Sequence, residues 1–417
     1  MKKYRFAAAL TAFLIASSSF ALTARAANGD YSQIIDSVPI KKYLVMKKGI
    51  SVPCVTFRYT LAPGQAVAGT DSTHEIMAGP AGALFASSQS TSLTVTFTPD
   101  DQPTSEASAP SGSTIQFATT NTSDEVFVEK ALTIDLSGVS FPAAGIYRYV
   151  VTQQSSTAAG IIPDSTNKRY IDVFVHKSDR TDEDTYDPGS AIIRLNTGVP
   201  DADGKSPAAI KSTGFTNRYD THNLKFTKSV SGNQASGNKY FRFTVKLDGR
   251  KASGDEDTRV RVSGTFDSQP TENMATLYDA DVMAEANEDV EYVTLSQLRE
   301  GRDFYIRGGQ SILLTGIPAG SQYVVAENNE DYTPSVTVYG DQDCTADDNT
   351  VTDTSLTQDT SLDFVNTLNG VIPSTGMAAA FAIPAAAMLA GFAGIALLAV
   401  KRVRASKKKA LEGNGIE

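Results

Sequence analysis

The sequence predicts an all-β protein built from two tandem β-sandwich domains, and three observations predict it. Apolar and polar residues alternate over many short runs that are rich in Val, Thr, Tyr and Phe. Gly, Asp, Asn and Ser separate these runs as turn residues, and long amphipathic helical patterns are missing. The same strand pattern also occurs twice along the chain, which indicates two copies of one domain.

Four segments recur in the same order in the two copies. In the first copy they are Val38-x-Ile40-x-Lys42, Phe57-x-Tyr59-x-Leu61, Gly145-x-Tyr147-x-Tyr149-x-Val151-x-Gln153 and Phe215-x-Asn217. The corresponding segments of the second copy are Leu224-x-Phe226-x-Lys228, Phe241-x-Phe243-x-Val245, Gly320-x-x-Tyr323-x-Val325-x-Glu327 and Phe364-x-Asn366. The boundary is expected near Tyr219 to His222, which divides the chain into domains at residues 27–219 and 220–370.

Strand parity places three polar residues in the apolar interior of the second domain. Alternate residues of a strand face the same side, so Lys228 follows Phe226 inward, Glu327 follows Val325, and Asn366 follows Phe364. A lone buried charge costs several kcal/mol or changes its protonation. One alternative is that a strand is shifted or bulged and leaves its polar residue in water.

The other interpretation is a covalent cross-link between Lys228 and Asn366. A lysine in an apolar pocket has a lowered pKa, so its amine can be neutral and nucleophilic. A neighbouring glutamate such as Glu327 has a raised pKa and can be protonated. It can then polarise the asparagine carbonyl and move protons as ammonia leaves, which gives a Lys–Asn isopeptide bond. This reaction occurs once within the chain and is not enzymatic turnover.

These motifs resemble a known family. Lys228, Phe241-x-Phe243, the run through residues 313–327 and Phe364-x-Asn366 look like the streptococcal-type pilin isopeptide-linkage domain, an Ig-like sandwich of the CnaB type. The resemblance implies the triad Lys228, Glu327 and Asn366, no cofactor, and a structural role as the shaft (major pilin) subunit of a sortase-assembled pilus. The alternatives are a wall-anchored adhesin that is never polymerised and, more remotely, a secreted wall enzyme.

The first copy departs from this pattern. Lys42 and Asn217 match the reacting pair, but Gln153 stands where the acid belongs. Glutamine can hydrogen-bond to an amide, yet it cannot donate a proton as a carboxylic acid does. Whether the first bond forms is therefore left open, and the loss of one ammonia rather than two is expected. The neighbouring Lys41 competes with Lys42, but parity with Ile40 favours Lys42.

Both ends of the chain carry export signals. Residues 1–26 combine a basic start, an apolar run and a small-residue exit, which predicts a signal peptide cut between Ala26 and Ala27 rather than a membrane helix. Residues 371–376 precede an uncharged stretch at 377–400, a predicted transmembrane helix, and a basic cytoplasmic tail at 401–417. This order resembles an LPxTG-type cell-wall sorting signal, which implies sortase cleavage between Thr375 and Gly376.

The resemblance also implies an exposed lysine that joins one subunit to the next. In shaft pilins this lysine lies just before the last asparagine of the first domain, where Lys211 stands, with Lys205 as the second candidate. Either residue could instead be an ordinary solvated lysine. The implied partners are a sortase, neighbouring pilin subunits, and peptidoglycan or lipid II, at the cell surface; no host ligand is indicated.

Composition narrows the remaining function classes. The chain has 417 residues and a formal net charge of -10, and the region between the two basic ends carries about -18. Such a surface repels nucleic acid and favours solubility outside the cell. The three histidines are isolated and lack metal-ligand spacing, so no metal site is predicted. The two cysteines, Cys54 and Cys344, lie in different domains, and a disulfide between them is not expected.

Overall fold

The computed structural model describes residues 34–369, apart from 71–72, 105–107, 118–123, 179–183, 199–210, 249–253, 273–275, 289 and 342. Within these residues the chain is mostly β, with four sheets and two short helices, which confirms the predicted all-β class. The predicted signal peptide, sorting motif, transmembrane helix and basic tail lie outside the described residues. No helix in the described part is long and apolar enough to span a bilayer.

The first half of the chain forms two sheets. Its strands are β1 Ser37–Lys47, β2 Val55–Pro63, β3 Ile76–Ala78, β4 Leu84–Phe85, β5 Ser92–Phe97, β6 Glu125–Asp135, β7 Gly145–Gln153, β8 Ile161–Ile162, β9 Lys168–Lys177, β10 Tyr186–Arg194 and β11 Gly214–Tyr219. One sheet has the order β4-β6-β1-β11-β8, and the other has β10-β9-β7-β2-β5 with β3 beside β7. The first strand β1 and the last strand β11 are parallel neighbours.

The second half repeats this plan. Its strands are β12 Thr221–Ser231, β13 Tyr240–Asp248, β14 Arg259–Thr265, β15 Tyr292–Thr294, β16 Arg302–Arg307, β17 Ser311–Pro318, β18 Gln322–Glu327, β19 Thr333–Tyr339, β20 Thr345–Asp347, β21 Thr350–Asp353 and β22 Thr360–Thr367. Their sheets have the orders β15-β14-β17-β12-β22-β19 and β16-β13-β18-β21-β20. Here too the first and last strands, β12 and β22, pair in parallel.

Period-two alternation places the core residues between the sheets of each half. In β22 every second side chain is buried, beginning at Thr360 and ending at Asn366. The buried apolar residues form one large cluster in each half, so each half has a hydrophobic core of its own. The described sheets do not share strands across the two halves, and Asp220 alone separates β11 from β12. The exact domain bounds stay a prediction.

Two short helices lie in the second half, and the sequence pattern did not predict them. Helix α1 spans Ala280–Asn287 and is capped by the Asp279 carboxylate, which accepts the backbone N–H of Asp281. Helix α2 spans Leu295–Glu300 and begins with a reciprocal capping box formed by Thr294 and Gln297. Both helices are too short for a hydrophobic period to stand out, so capping residues were their main signal in the sequence.

Candidate functional site

The second domain brings Lys228, Glu327 and Asn366 together from three strands. Lys228 lies on β12, Asn366 on the parallel neighbour β22, and Glu327 at the end of β18 in the facing sheet. The Lys228 amine nitrogen Nζ lies 2.7 Å from Glu327 Oε1, and Asn366 Nδ2 donates to the same oxygen at 2.8 Å. Their exposed fractions are 0%, 1% and 0%, so all three side chains lie inside the core.

Aromatic rings surround this triad and remove it from water. The Lys228 Nζ atom lies 4.5 Å from the centroid of the Phe241 ring, and the Phe243 ring packs against both Phe226 and Phe364. Burial lowers the pKa of Lys228 to about 8, although the nearby carboxylate opposes this shift. Burial also raises the pKa of Glu327, with Lys228 and Asn366 acting in the opposite direction. Burial thus shifts both pKa values toward the neutral amine and the neutral acid.

The hydrogen bonds of the triad fit a protonated acid. Within the described residues, Glu327 Oε2 and Asn366 Oδ1 are buried acceptors without a hydrogen-bond partner. Buried polar atoms without partners are costly. A proton on Glu327 Oε2 would convert one of these acceptors into a donor, while Oε1 still accepts from the Asn366 amide. Glu327 thus contacts the Asn366 amide N–H and the Lys228 amine, and a proton on Glu327 Oε2 would supply the kind of donor that the Asn366 carbonyl oxygen lacks.

The first domain assembles the equivalent residues with an amide in place of the acid. Lys42 Nζ donates to Gln153 Oε1 at 3.0 Å and is in close contact with Asn217 Oδ1. Gln153 Nε2 donates to Asn217 Oδ1 at 2.9 Å, and the Tyr59 hydroxyl donates to Gln153 Oε1 at 3.0 Å. Burial lowers the pKa of Lys42 well below its ordinary value. These groups form one buried network around the Asn217 amide.

The choice between Lys41 and Lys42 follows from their positions on β1. Lys42 is fully buried, and its Nζ lies 4.0 Å from the centroid of the Phe57 ring. Lys41 points to the other face, where its side chain is partly exposed and pairs with Glu129. Of the two lysines, the structure brings Lys42 to Asn217.

Sequence reasoning missed Tyr59 as part of the first-domain network. Its inward parity with Phe57 and Leu61 was visible, and a hydroxyl on a core-facing strand position usually needs a partner. Asp164 and Arg169 were also missed, and they form a buried ion pair beside the network with Nη2–Oδ2 at 2.6 Å. Arg169 shares its parity with Ile171 and Val173 on β9, so its burial was readable from the strand pattern, but its pairing with Asp164 in the preceding loop was not.

A second buried charge cluster was also missed in the first domain. Asp172 contacts Arg148 through Oδ1 and Nε at 2.6 Å, and contacts Arg194 through Oδ2 and Nε at 2.7 Å. Arg148 also donates to the carbonyl oxygens of Thr197 and Gly198. Arg148 has the opposite parity to Tyr147 and Tyr149, so strand parity gives no indication that it is buried.

The remaining predicted residues lie partly outside the described chain. Lys211 is half-buried and pairs with Arg194 as an isolated β-bridge, directly after the segment 199–210 that is not described. Lys205, Thr375, Gly376, Ala26 and Ala27 lie outside the described residues. Where the chain is described, no group of three or more metal-ligating side chains comes together, and Cys54 and Cys344 are both free.

Similarity to known proteins extends over both sequence and fold. A domain of unknown function, DUF7601, matches residues 222–368, which include the whole second-domain triad. A protein named pilin from Streptococcus pyogenes serotype M1 is 26% identical over 259 residues, which cover 60% of this chain. The matched region spans 65% of that pilin's length.

Comparison with solved structures also shows a similarity to streptococcal pilins, at the level of the fold. The crystal structure of the major pilin from Streptococcus pyogenes is 20% identical and has a TM-score of 0.50, covering 82% of this chain and 100% of that chain. The crystal structure of a mutant of that major pilin is 19% identical with a TM-score of 0.50, covering 80% of this chain and 99% of that chain. The predicted resemblance to streptococcal pilins is confirmed, and the chain shares the fold of the major pilin.

Proposed function

We propose that this protein is the shaft subunit of a sortase-assembled pilus on a Gram-positive cell, a structural role rather than an enzymatic one. The observation that carries the proposal is the fully buried triad of Lys228, Glu327 and Asn366 between the first and last strands of the second domain. A buried lysine, acid and amide in contact cost more than an apolar core would, so a covalent product explains their presence. The pilin fold and the sequence similarity support the same role.

The proposed reaction joins Lys228 to Asn366. The neutral Lys228 amine attacks the side-chain carbonyl carbon of Asn366, while the protonated Glu327 donates a hydrogen bond that stabilises the developing charge on Oδ1. Glu327 then carries a proton from the lysine nitrogen to the departing amide nitrogen, and ammonia leaves. The product weighs one ammonia less than the sequence, and Glu327 ends as it began.

The position of this bond suits a protein under tension. It connects β12 with β22, the strands through which the chain enters and leaves the second domain. A pull on both ends loads the bond between these strands and leaves the rest of the sandwich unstretched. Unlike a disulfide, the amide is insensitive to reductants, and the two cysteines of the chain are not needed for it.

The chain ends complete the proposal. Export through the signal at 1–26 and sortase cleavage between Thr375 and Gly376 leave a wall form that begins near Ala27 and ends at Thr375. A lysine of the next subunit attacks the acyl-enzyme formed at Thr375. Lys211 is the first candidate for this lysine because it lies six residues before Asn217 and is partly accessible. The proposed location is the cell wall, with the helix at 377–400 as a transient anchor.

The test is the covalent ladder in cell-wall extracts. The wild-type chain should give a series of high-molecular-weight species that resist boiling in detergent, and Lys211→Ala should reduce them to the monomer. Lys205→Ala is the matched control and should leave the ladder intact. A wild-type monomer with no ladder would point instead to a singly anchored adhesin, and a ladder lost only in Lys205→Ala would move the linkage to that residue.

A further inference from the structure

The two domains differ at two positions that face each other across the same pair of strands. In the first domain Tyr59 on β2 stands opposite Gln153 on β7. In the second domain Phe243 on β13 stands opposite Glu327 on β18, at the corresponding positions of the repeat. The domain that lacks the acid therefore has a phenol directly opposite the substituted residue, and the domain with the acid has a plain ring.

We propose that Tyr59 acts through Gln153 to polarise the Asn217 amide, so that Lys42 and Asn217 form an isopeptide bond without a carboxylic acid. Tyr59 is a positioning residue in this scheme, since Gln153 rather than Tyr59 touches the reacting amide. The inference rests on the Lys–Asn chemistry of the proposed function and extends it to a site where the expected acid is absent.

The hydrogen-bond directions support this role. The Tyr59 hydroxyl donates to Gln153 Oε1 at 3.0 Å, and Gln153 Nε2 donates to Asn217 Oδ1 at 2.9 Å. Hydrogen bonds in such a chain polarise one another, so donation into Oε1 strengthens the Nε2–H donor. Lys42 Nζ also donates to Gln153 Oε1 at 3.0 Å. This bond holds the lysine amine beside the side-chain carbonyl of Asn217, which it attacks.

The ionisation states agree with the same reaction. Burial raises the pKa of Tyr59 well above its ordinary value, so the phenol keeps its proton. Burial also lowers the pKa of Lys42, which favours the neutral, nucleophilic amine. Two charged neighbours oppose each other, since Asp164 raises the pKa of Lys42 and Arg169 lowers it.

The proposed step balances without a further reactant. The lone pair of Lys42 Nζ forms a bond to Asn217 Cγ, and the carbonyl electrons move to Oδ1, where the Gln153 Nε2–H group stabilises them. One proton passes from Nζ to Nδ2 within this intermediate. The Cγ–Nδ2 bond then breaks, the carbonyl re-forms and ammonia leaves. The product is a secondary amide, and Tyr59 and Gln153 are unchanged.

Asp164 is the nearby carboxylate that could have supplied the acid instead. Its Oδ2 atom lies 2.6 Å from Arg169 Nη2 and accepts the backbone N–H of Thr216 at 2.7 Å. Its Oδ1 atom accepts the backbone N–H of Thr166 at 3.1 Å. Both oxygens of this carboxylate therefore already accept hydrogen bonds from a guanidinium or a backbone amide, so the group is engaged away from the Asn217 amide.

The experiment follows bond formation in the full chain as it refolds from the unlinked state. Samples are taken with time, digested with trypsin and analysed by mass spectrometry for two cross-linked peptides, one containing Lys42 and Asn217 and one containing Lys228 and Asn366. The second peptide is an internal control for the family chemistry. In the wild type both should appear. Tyr59→Phe should slow the first by roughly 10-fold or more, less than the roughly 100- to 1,000-fold typical of losing a direct donor, and should leave the second unchanged.

A rescue variant separates polarisation from packing. Tyr59→Phe combined with Gln153→Glu gives the first domain the residue pair of the second, and it should restore the rate lost in Tyr59→Phe. Asp164→Asn should leave the Lys42 cross-link at a rate far closer to wild type than Tyr59→Phe does. The inference is overturned if the wild type shows only the Lys228 peptide, if Tyr59→Phe links as fast as wild type, or if the double variant fails to recover. If neither cross-linked peptide appears in the wild type, the Lys–Asn chemistry of the proposed function is itself wrong.

Discussion

The two domains hold the same lysine–asparagine frame but surround it with different hydrogen-bond donors. In the second domain a single carboxyl group, Glu327, contacts both Lys228 and Asn366. In the first domain two residues share this role, because Gln153 contacts both reacting residues and the Tyr59 hydroxyl donates a hydrogen bond to Gln153. In both domains a buried group from the facing sheet binds the asparagine amide beside a desolvated lysine, but only in the first domain does it donate to the asparagine carbonyl oxygen.

Removal of Glu327 should produce the largest effect and separate the two domains most clearly. In Glu327→Ala the Lys228–Asn366 peptide should disappear and the mass deficit of the second domain with it. By analogy with a disulfide, loss of a cross-link that closes a loop of about 140 residues lowers the free energy of unfolding by roughly 5 kcal/mol. Thermal unfolding and trypsin resistance of the second domain measure this loss.

The matched control for that variant is Glu300→Ala, an exposed glutamate at the end of α2 in the same domain. It should retain the cross-link and its resistance to trypsin. A fully cross-linked second domain in Glu327→Ala would contradict the assigned role of the acid. The surface-anchoring part of the proposal depends on the chain ends and does not depend on this result.

Disruption of the buried Arg148–Asp172–Arg194 cluster should give the next largest effect. This cluster lies in the first domain on the outer side of β7 and β9, and it has no counterpart among the second-domain repeats described above. Asp172→Ala leaves two buried guanidinium groups without their shared carboxylate. Breaking a buried ion pair in this way costs about 3–5 kcal/mol. The midpoint of unfolding of the first domain should therefore fall, with the second domain unaffected.

Asp184→Ala is the control for the charge cluster. Asp184 pairs with Lys177 in the same domain, but both side chains are mostly exposed and the pair is screened by water. No measurable change in unfolding is expected for this variant. If Asp172→Ala also left the unfolding midpoint unchanged, the buried charge cluster would not contribute to the stability of the first domain. The two domains would then differ only at their cross-link sites among the features compared above.

The sequence predicted the sites better than it predicted their surroundings, and the reason is the range of the interactions involved. Parity along one strand was sufficient to place Lys228, Glu327 and Asn366 inside the core, because the period of two is a local property. The burial of Arg148 depends on a distant irregular segment, in which the backbone N–H groups of Gly64 and Gly79 both donate to the Arg148 carbonyl. The alternation of residues along β7 cannot predict that a segment distant in sequence will pack over Arg148.

Tyr59 was missed for the same physical reason. Its parity was readable, but the contact of its hydroxyl with Gln153 depends on the register between β2 and β7, which is set by the whole sheet. For Lys211 the sequence suggested a role without predicting the local structure. Its candidacy came from a family resemblance, and neither its burial nor its β-bridge with Arg194 followed from the sequence.

The smallest predicted effect is a difference in how the two bonds respond to pH. The second-domain site needs one proton on the Lys228–Glu327 pair, placed on the acid. Below the raised pKa of Glu327 the lysine is protonated as well and cannot attack. Above about pH 8, the pKa of Lys228, the pair loses its proton and the acid is gone. The rate of bond formation should thus pass through a maximum and fall about tenfold per pH unit beyond each limit.

The first-domain site contains no titrating acid at Gln153, so its response should have a different shape. Burial lowers the pKa of Lys42 and raises that of Tyr59, and both shifts widen the pH range in which a neutral amine meets a protonated phenol. Its rate should rise as Lys42 loses its proton and should not fall again at higher pH, because no carboxylic acid proton is lost there. Refolding the unlinked chain on both sides of pH 8 measures both peptides in one sample. A level rate for both bonds would mean that Glu327 does not act as a titrating acid, and a parallel fall would mean that the first domain uses one too.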